Sequence, residues 1–175
     1  MNPAEEMVKF WLQQQGYFVQ SSIQVGRKEI DILAIHKKDK KDRRHIEVTV
    51  SINSVNWKDT AREWVADYHK KKFQDPKIRE IIREHFGSNI YSKEIVAGDL
   101  KFKKKQGFTE FKKECCKRGI KAIYFGEVIK KIDQSLLKAT SLNPIVKSLQ
   151  LYKKFNGNFP LQTRRGKLLI ERSPV

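Results

Sequence analysis

Two acidic residues stand inside apolar stretches of this 175-residue sequence, Asp31 in EIDILAI and Glu47 in HIEVTVSI. In the second stretch, Ile46 and Val48 alternate with Glu47 and Thr49, which is the period of a β-strand. Glu47 and Thr49 therefore share one face, about 7 Å apart. The first stretch is apolar on both faces apart from Asp31, the pattern of a buried central strand. Burial of a lone carboxylate is unfavourable unless a partner compensates for it.

The two acids predict a cation site. If the strands pair odd positions with odd, Asp31 lies near Glu47 or Thr49, and the two carboxylates repel each other. A divalent cation removes that repulsion, and Mg²⁺ prefers one or two carboxylates together with waters and phosphate oxygens. The residues alone leave an ordinary alternative open, in which Asp31 caps a turn and Glu47 pairs with Arg27 or Arg44.

The surrounding elements predict one α/β domain. Asn2 and Pro3 are typical of a helix start, and Gly16 of a helix end. The order α-β-β-β-α-β-α-β predicts a mixed sheet with helices on both faces. The later predicted elements are strands at 17–25, 29–35 and 45–52 with a charged loop over 37–44, a helical stretch at 57–86 broken at Asp75-Pro76, a strand at 92–99, a helix at 109–119 and a strand from 120.

Residues 127–175 are expected to extend this domain beyond a core of residues 1–126. Two helices are predicted there, over 127–140 and 144–155, followed by a basic tail. Their apolar positions fit either a cap on the core or the surface of a homodimer, and these positions are Val128, Ile129, Ile132, Leu136, Leu149 and Tyr152. The TRRGK segment of the tail is either a DNA-contacting arm or disordered.

The net charge is +17 and is unevenly distributed. Residues 1–100 contain 18 Lys and Arg against 15 Asp and Glu, whereas residues 101–175 contain 19 against 5. Such a field attracts polyanions, of which nucleic acid is the commonest. DNA is therefore the expected partner, and the sequence does not separate it from RNA. The expected phosphate contacts are Lys101, Lys103, Lys104, Lys105, Arg164 and Arg165.

Other features of composition narrow the class of protein. The two cysteines are adjacent, at Cys115 and Cys116, which is neither a disulfide framework nor a metal-ligand spacing. No apolar run reaches the length of a membrane span, and the N-terminus has no signal-peptide pattern. We therefore expect a cytoplasmic protein without a membrane partner.

The combination of an acid-bearing N-terminal helix, the GRKEIDILAI stretch, a hairpin and IEVT resembles the PD-(D/E)xK nuclease superfamily. Within it, the chain is most similar to Mrr-like restriction nucleases and archaeal Holliday junction resolvases. The resemblance covers roughly residues 3–126 and implies a restriction-endonuclease-like αβββαβ core with additional C-terminal helices. It also implies hydrolysis of DNA phosphodiester bonds that depends on Mg²⁺ or Mn²⁺.

The resemblance assigns a role to each acid. Glu5 resembles the acid of the first helix, with Glu6 as a rival. Asp31 resembles the metal-binding Asp, with Glu29 as a poorer rival, and Glu47 resembles the acid of the (D/E)xK motif. Asp31 and Glu47 would hold the metal.

Thr49 departs from the motif, which has Lys at this position. A Thr hydroxyl can hydrogen-bond a water molecule but carries no positive charge. Either a lysine has migrated from another element, for which Lys28, Lys58, Lys70 and Lys71 are the candidates, or the chain is an inactive module that binds nucleic acid or a partner protein. His45 shares the face of Glu47, and we expect it to be a partly exposed residue at a strand end.

Overall fold

The computed structural model describes residues 2–50, 60–98 and 107–136, together with residues 144, 147 and 148. The chain divides into two compact units, residues 1–140 and 141–175. In chain order the first unit contains α1 (Pro3–Gln14), β1 (Tyr17–Val25), β2 (Lys28–His36), β3 (Arg43–Thr49), α2 (Ala61–Tyr68), a π-helix (His69–Phe73), α3 (Pro76–Phe86), β4 (Ser92–Ala97), α4 (Phe108–Cys116), β5 (Ile120–Tyr124) and α5 (Phe125–Leu136).

The five strands form one sheet in the order β1-β2-β3-β4-β5. The pairs β1–β2 and β2–β3 are antiparallel, while β3–β4 and β4–β5 are parallel. The sheet is therefore mixed and flanked by helices, and the predicted α/β class is confirmed. The hairpin loop is shorter than predicted, because Arg43 and Arg44 already pair with Ile35 and Ala34 of β2.

The first helix forms as its end signals predict. The side chain of Asn2 accepts a hydrogen bond from the Ala4 N–H at 3.0 Å, and Pro3 begins the helix. Gly16, with φ of 87°, follows the helix end in the left-handed region that favours glycine. The helix buries Val8 and Leu12 completely.

The last described helix, α5, packs against α1. It buries Val128 and Ile132, as a cap on the core does. The predicted boundary after residue 126 falls inside α5, because this helix begins at Phe125 directly after β5. The predicted helix over 144–155 and the basic tail lie almost entirely outside the described residues.

The face of the sheet that carries Asp31 and Glu47 is covered by α2, the π-helix, α3 and α4. Val65 and Phe73 pack with Phe111 and Cys115 on Ile95 of β4. Next to this cluster, α3 contributes Ile78, Ile82 and Phe86, which pack with Leu33 of β2. Among the described helices, none is long and apolar enough to cross a membrane.

Candidate active site

The two predicted acids lie where β2 and β3 separate. The paired positions of these strands run from Ile35–Arg43 to Ile32–Ile46. Beyond the last pair, the backbone N–H of Val48 donates to Oδ2 of Asp31 at 2.7 Å. The carboxylate thus takes the place of a backbone acceptor and holds Asp31 between the two strands. Asp31 is only 8% exposed.

Glu47 is fully buried, and both of its carboxylate oxygens have partners. Nε2 of His45 lies 2.7 Å from Oε1. The hydroxyl of Tyr68 lies 3.4 Å from Oε2, and Nζ of Lys72 lies 2.5 Å from the same oxygen. The alternative pairing with Arg44 is wrong, since Arg44 binds acids on the other side of the sheet.

Lys72 is the cation of this cluster. Its Nζ lies 2.5 Å from Glu47 Oε2, 3.4 Å from Asp31 Oδ1 and 2.7 Å from the backbone oxygen of Glu29. An ammonium has three donors, so these three acceptors match its full capacity. Lys72 therefore bridges the two acids at the point where their strands part.

The lysines expected from the sequence at this position are elsewhere. Lys28 forms an ion pair with Asp75, Lys71 pairs with Asp67 at 2.8 Å, and Lys70 is exposed. Lys58 lies outside the described residues. A lysine from another element does lie beside the two acids, but it is Lys72, which was not among the candidates.

The π-helix positions Lys72 beside the sheet. The N–H of Gln74 donates to the carbonyl of His69 at 3.0 Å, a bond across five residues that widens the turn. Tyr68 and Lys72 are four residues apart and both contact Glu47, as neighbours on one helix face do. The buried positions Ala61 and Val65 belong to the same stripe. In the sequence, the same helical spacing continued beyond Tyr68 leads to position 72, and this spacing was the signal that could have identified Lys72.

Burial and neighbouring charges shift the pKa values of Asp31, Lys72 and Tyr68. Burial, followed by the negative charge of Glu47, raises the pKa of Asp31 from 3.8 to about 7. Burial by itself would lower the pKa of Lys72, but the charges of Glu47 and Asp31 outweigh it, and the pKa is raised. Burial and the same two acids also raise the pKa of Tyr68 well above its usual range. Lys72 is therefore protonated, and Tyr68 keeps its O–H as a donor.

Glu5 lies at the edge of the cluster. Ser22 Oγ donates to Glu5 Oε2 at 3.5 Å, and the charge of Glu5 contributes to the raised pKa of Asp31. Its rival Glu6 pairs with Lys9 on the same helix at 3.6 Å. Glu29, the rival of Asp31, contributes its backbone oxygen to Lys72. The geometry thus favours Glu5 and Asp31 over both rivals.

Thr49 ends β3 and is half-buried. Strand alternation puts it on the face of Glu47, as predicted, and it pairs with Ala97 of β4. In the described parts of the chain, the positive charge beside the acids comes from the π-helix and not from β3.

The prediction that His45 is partly exposed was wrong. His45 is fully buried, because Phe73 and Tyr91 cover it, with ring centroids 4.7 and 6.0 Å away. Its Nε2 contacts Glu47, while Nδ1 is buried and has no hydrogen-bond partner among the described residues. Among the described residues, the imidazole therefore makes its hydrogen bond to Glu47 through Nε2 only.

Asp31 and Glu47 are the side chains of this cluster that could hold a small divalent cation. Over residues 2–50, 60–98 and 107–136, no group of three or more His, Cys, Asp and Glu side chains is arranged to hold a metal ion. Mg²⁺ needs only one or two carboxylates when waters and phosphate oxygens complete its shell. Asp31 and Glu47 are such a pair, and the pKa of Asp31 is raised first by burial and then by the negative charge of Glu47.

The predicted phosphate contacts Lys101, Lys103, Lys104, Lys105, Arg164 and Arg165 all lie outside the described residues. Their assignment stays a prediction. The charge excess of the second half of the chain falls largely on residues outside the described ranges, since residues 107–136 contain seven Lys and Arg against four Asp and Glu.

Comparison with known proteins adds information about the fold. No family model matches the chain, and no curated protein matches it. Among solved structures, the chain is similar to the crystal structure of a protein of unknown function, AF1548, with a TM-score of 0.51 and 17% sequence identity. The match covers 87% of this chain and 78% of that chain. That likeness shows the fold alone.

Proposed function

We propose that this protein is a metal-dependent nuclease that hydrolyses DNA phosphodiester bonds in the cytoplasm. It would recognise its substrate by DNA structure or by DNA sequence. The observation that carries the proposal is the position of Lys72, whose Nζ lies 2.5 Å from Glu47 and 3.4 Å from Asp31. The PD-(D/E)xK pattern that the sequence resembles needs two acids and one cation. Asp31, Glu47 and Lys72 supply these three groups, although Thr49 stands at the usual position of the lysine.

Asp31 and Glu47 would hold the divalent cation. When bound, Mg²⁺ or Mn²⁺ supplies Lewis-acid polarisation of a phosphoryl oxygen and activation of water. The protein contributes carboxylates that are already fixed. Val48 N–H holds one oxygen of Asp31, and His45 holds one oxygen of Glu47. Each carboxylate therefore presents its other oxygen towards Lys72.

Lys72 acts in this proposal as a fixed positive charge. Its raised pKa keeps it protonated at neutral pH, so it does not serve as a general base. An ammonium placed beside the reacting phosphate stabilises the negative charge that develops on the phosphate oxygens. Glu5, which is coupled to Asp31 at the edge of the cluster, can order a water molecule on that side.

A second candidate is a nucleic-acid-binding or partner-binding module without catalysis. The departure at Thr49 favours it, and so does the fact that Lys72 already compensates the charge of both buried acids. In that case the cluster is a structural ion network. The two candidates differ in one property, because only the nuclease requires a divalent cation that binds to Asp31 and Glu47.

The experiment is a cleavage assay with purified protein on linear duplex, supercoiled, four-way-junction and single-stranded DNA, with RNA in parallel. Each substrate is incubated with Mg²⁺, with Mn²⁺ and with a chelator. Glu47→Gln and Asp31→Asn should abolish cleavage, whereas Glu84→Gln, the same change at an exposed position of α3, should leave it intact. DNA binding by the wild type without cleavage of any substrate would contradict the nuclease and support the binding module.

A further inference from the structure

Phe18 is an exposed aromatic residue on the edge strand β1. Its side chain is 60% exposed. The ammonium groups of Lys37 and Lys40, from the β2–β3 loop, each lie 5.3 Å from the centroid of its ring. An exposed aromatic ring thus has two cations over it.

The ring borders an open cavity of about 320 Å³ between β1, β2 and the end of α3. Leu33, Ile35 and Phe86 give the cavity an apolar lining, and Gln20 and His85 add polar groups. A flat, partly polar ring system is the ligand shape that suits such a lining, because one face meets apolar surface while its edge meets hydrogen-bonding groups.

The surrounding charge indicates which occupant fits. The β2–β3 loop carries Lys37, Lys38, Lys40 and Lys41 against Asp39, and Asp42 is already bound to Arg44 at 3.0 Å. A second copy of this chain docked here would bring the same lysines together, and the repulsion would oppose it. A polyanion is attracted instead. Nucleic acid combines a polyanionic backbone with flat aromatic rings.

We propose that Phe18, Lys37 and Lys40 form a binding site for an unpaired nucleobase and its flanking phosphates. Stacking of unpaired bases on aromatic side chains beside a basic groove is how single strands are bound without sequence preference. Lys37 and Lys40 take the phosphates, and Phe18 takes the face of the base. The inference deepens the proposed function, on which it rests for the substrate class, by assigning a substrate that contains unpaired nucleotides.

The location of this site relative to the acids supports the assignment. Phe18 pairs with Ile35 of β2, and Ile35 stands four residues after Asp31 in the same strand. Residues separated by an even number share a face, so the aromatic site and Asp31 lie on one side of β2, about 13 Å apart along the strand. This separation is comparable with the length of a few nucleotides, and α3 covers Leu33 between the two sites.

The test measures binding without divalent cations, so that cleavage plays no part. Anisotropy titrations with a short single-stranded DNA and its duplex compare the wild type with Phe18→Ala. Phe18→Leu keeps the apolar character but removes the aromatic face, and Ile90→Ala truncates another exposed hydrophobic residue, 81% exposed, as the control. A 2-aminopurine base in the single strand reports stacking directly through quenching of its fluorescence.

The proposal expects Phe18→Ala and Phe18→Leu to weaken single-strand binding by about tenfold and to reduce the quenching. Duplex binding should change by less than roughly twofold, and Ile90→Ala should behave as the wild type. Replacement of Lys37 and Lys40 by Ala should weaken binding to both DNAs, because phosphates are common to both. Unchanged single-strand affinity and quenching in both Phe18 variants would overturn the site, and so would an equal loss on duplex DNA.

The binding experiment can fail or succeed independently of the nuclease proposal. If Phe18 variants lose single-strand binding but the wild type cleaves nothing, the aromatic site stands and the nuclease fails. If the wild type cleaves DNA and the Phe18 variants bind and cleave single strands normally, the nuclease stands and the aromatic site fails.

Discussion

Nζ of Lys72 lies 2.5 Å from Oε2 of Glu47, and Lys72 comes from a π-helix whereas Glu47 comes from a strand. The same ammonium lies 3.4 Å from Oδ1 of Asp31. One cation thus sits between two buried acids that stand on separating strands. The positive charge that balances the two acids therefore comes from the π-helix, and not from β3, which carries Thr49.

Replacement of Asp31 by Asn should make the protein more stable at alkaline pH. The pKa of Asp31 is about 7 in the folded chain, against 3.8 ordinarily. The folded state therefore keeps a proton that the unfolded state has lost, and the free energy of unfolding falls as the pH rises through this range. The variant lacks this titration, and its amide oxygen can still accept from Val48 N–H.

Urea unfolding at pH 5 and pH 8 without divalent cations measures the effect. A change of pKa of this size corresponds to at most roughly 4 kcal/mol, so we expect a gain below that at pH 8 and a smaller one at pH 5. Glu84→Gln at an exposed position is the control and should show no such trend. An Asp31→Asn protein less stable than the wild type at pH 8 would contradict a destabilising burial of the Asp31 carboxylate.

Replacement of His45 by Phe should weaken metal binding. The variant keeps a ring between Phe73 and Tyr91 but removes the donor that holds Glu47 Oε1. Loss of a group that orients a metal ligand lowers metal affinity by about 10- to 100-fold. His45→Gln keeps an N–H donor and should recover part of the affinity.

Calorimetric titration with Mn²⁺ measures this prediction. Tyr91→Phe, which changes a neighbouring ring without touching Glu47, is the matched control and should bind Mn²⁺ as the wild type does. His45→Phe protein that remains folded and binds Mn²⁺ with wild-type affinity would show that His45 does not position Glu47.

A lysine at position 49 should replace the function of Lys72. Thr49 is half-buried on the face of Glu47, so a lysine side chain there can extend along the sheet to the acids. Thr49→Lys alone should change the cleavage rate only modestly, because Lys72 already supplies the charge. In the Lys72→Ala background, Thr49→Lys should raise the rate at least about tenfold, since a single well-placed charge contributes that much or more. A double variant as slow as Lys72→Ala would show that the charge must come from the helix.

The sequence was sufficient for the elements whose signals are local. Asn2 and Pro3 determine where α1 begins, and the alternation of Ile46, Glu47 and Val48 identifies β3 and the face that Glu47 occupies. These signals depend only on neighbours along the chain. The α/β class could therefore be predicted from the sequence. The approach of Asp31 to Glu47 or Thr49 could be predicted only on the condition that the two strands pair odd positions with odd.

Lys72 and His45 could not be assigned in the same way. Three lysines stand in succession at positions 70–72, and which of them faces the sheet depends on the phase of the helix, which a π-turn changes. The burial of His45 depends on Phe73 and Tyr91, which are distant in sequence. Both assignments require tertiary packing, although the stripe through Val65 and Tyr68 pointed to Lys72.

The single-turnover cleavage rate of Lys72→Met in saturating Mg²⁺ measures whether Lys72 completes a nuclease site with Asp31 and Glu47. Lys71→Met is the control, because Lys71 is adjacent but exposed and paired with Asp67. We predict Mg²⁺-dependent cleavage by the wild type, a rate lower by about 10²- to 10³-fold in Lys72→Met, and an unchanged rate in Lys71→Met. Cleavage by folded Lys72→Met at the wild-type rate, or no cleavage by the wild type, would rule out a nuclease site that depends on Lys72.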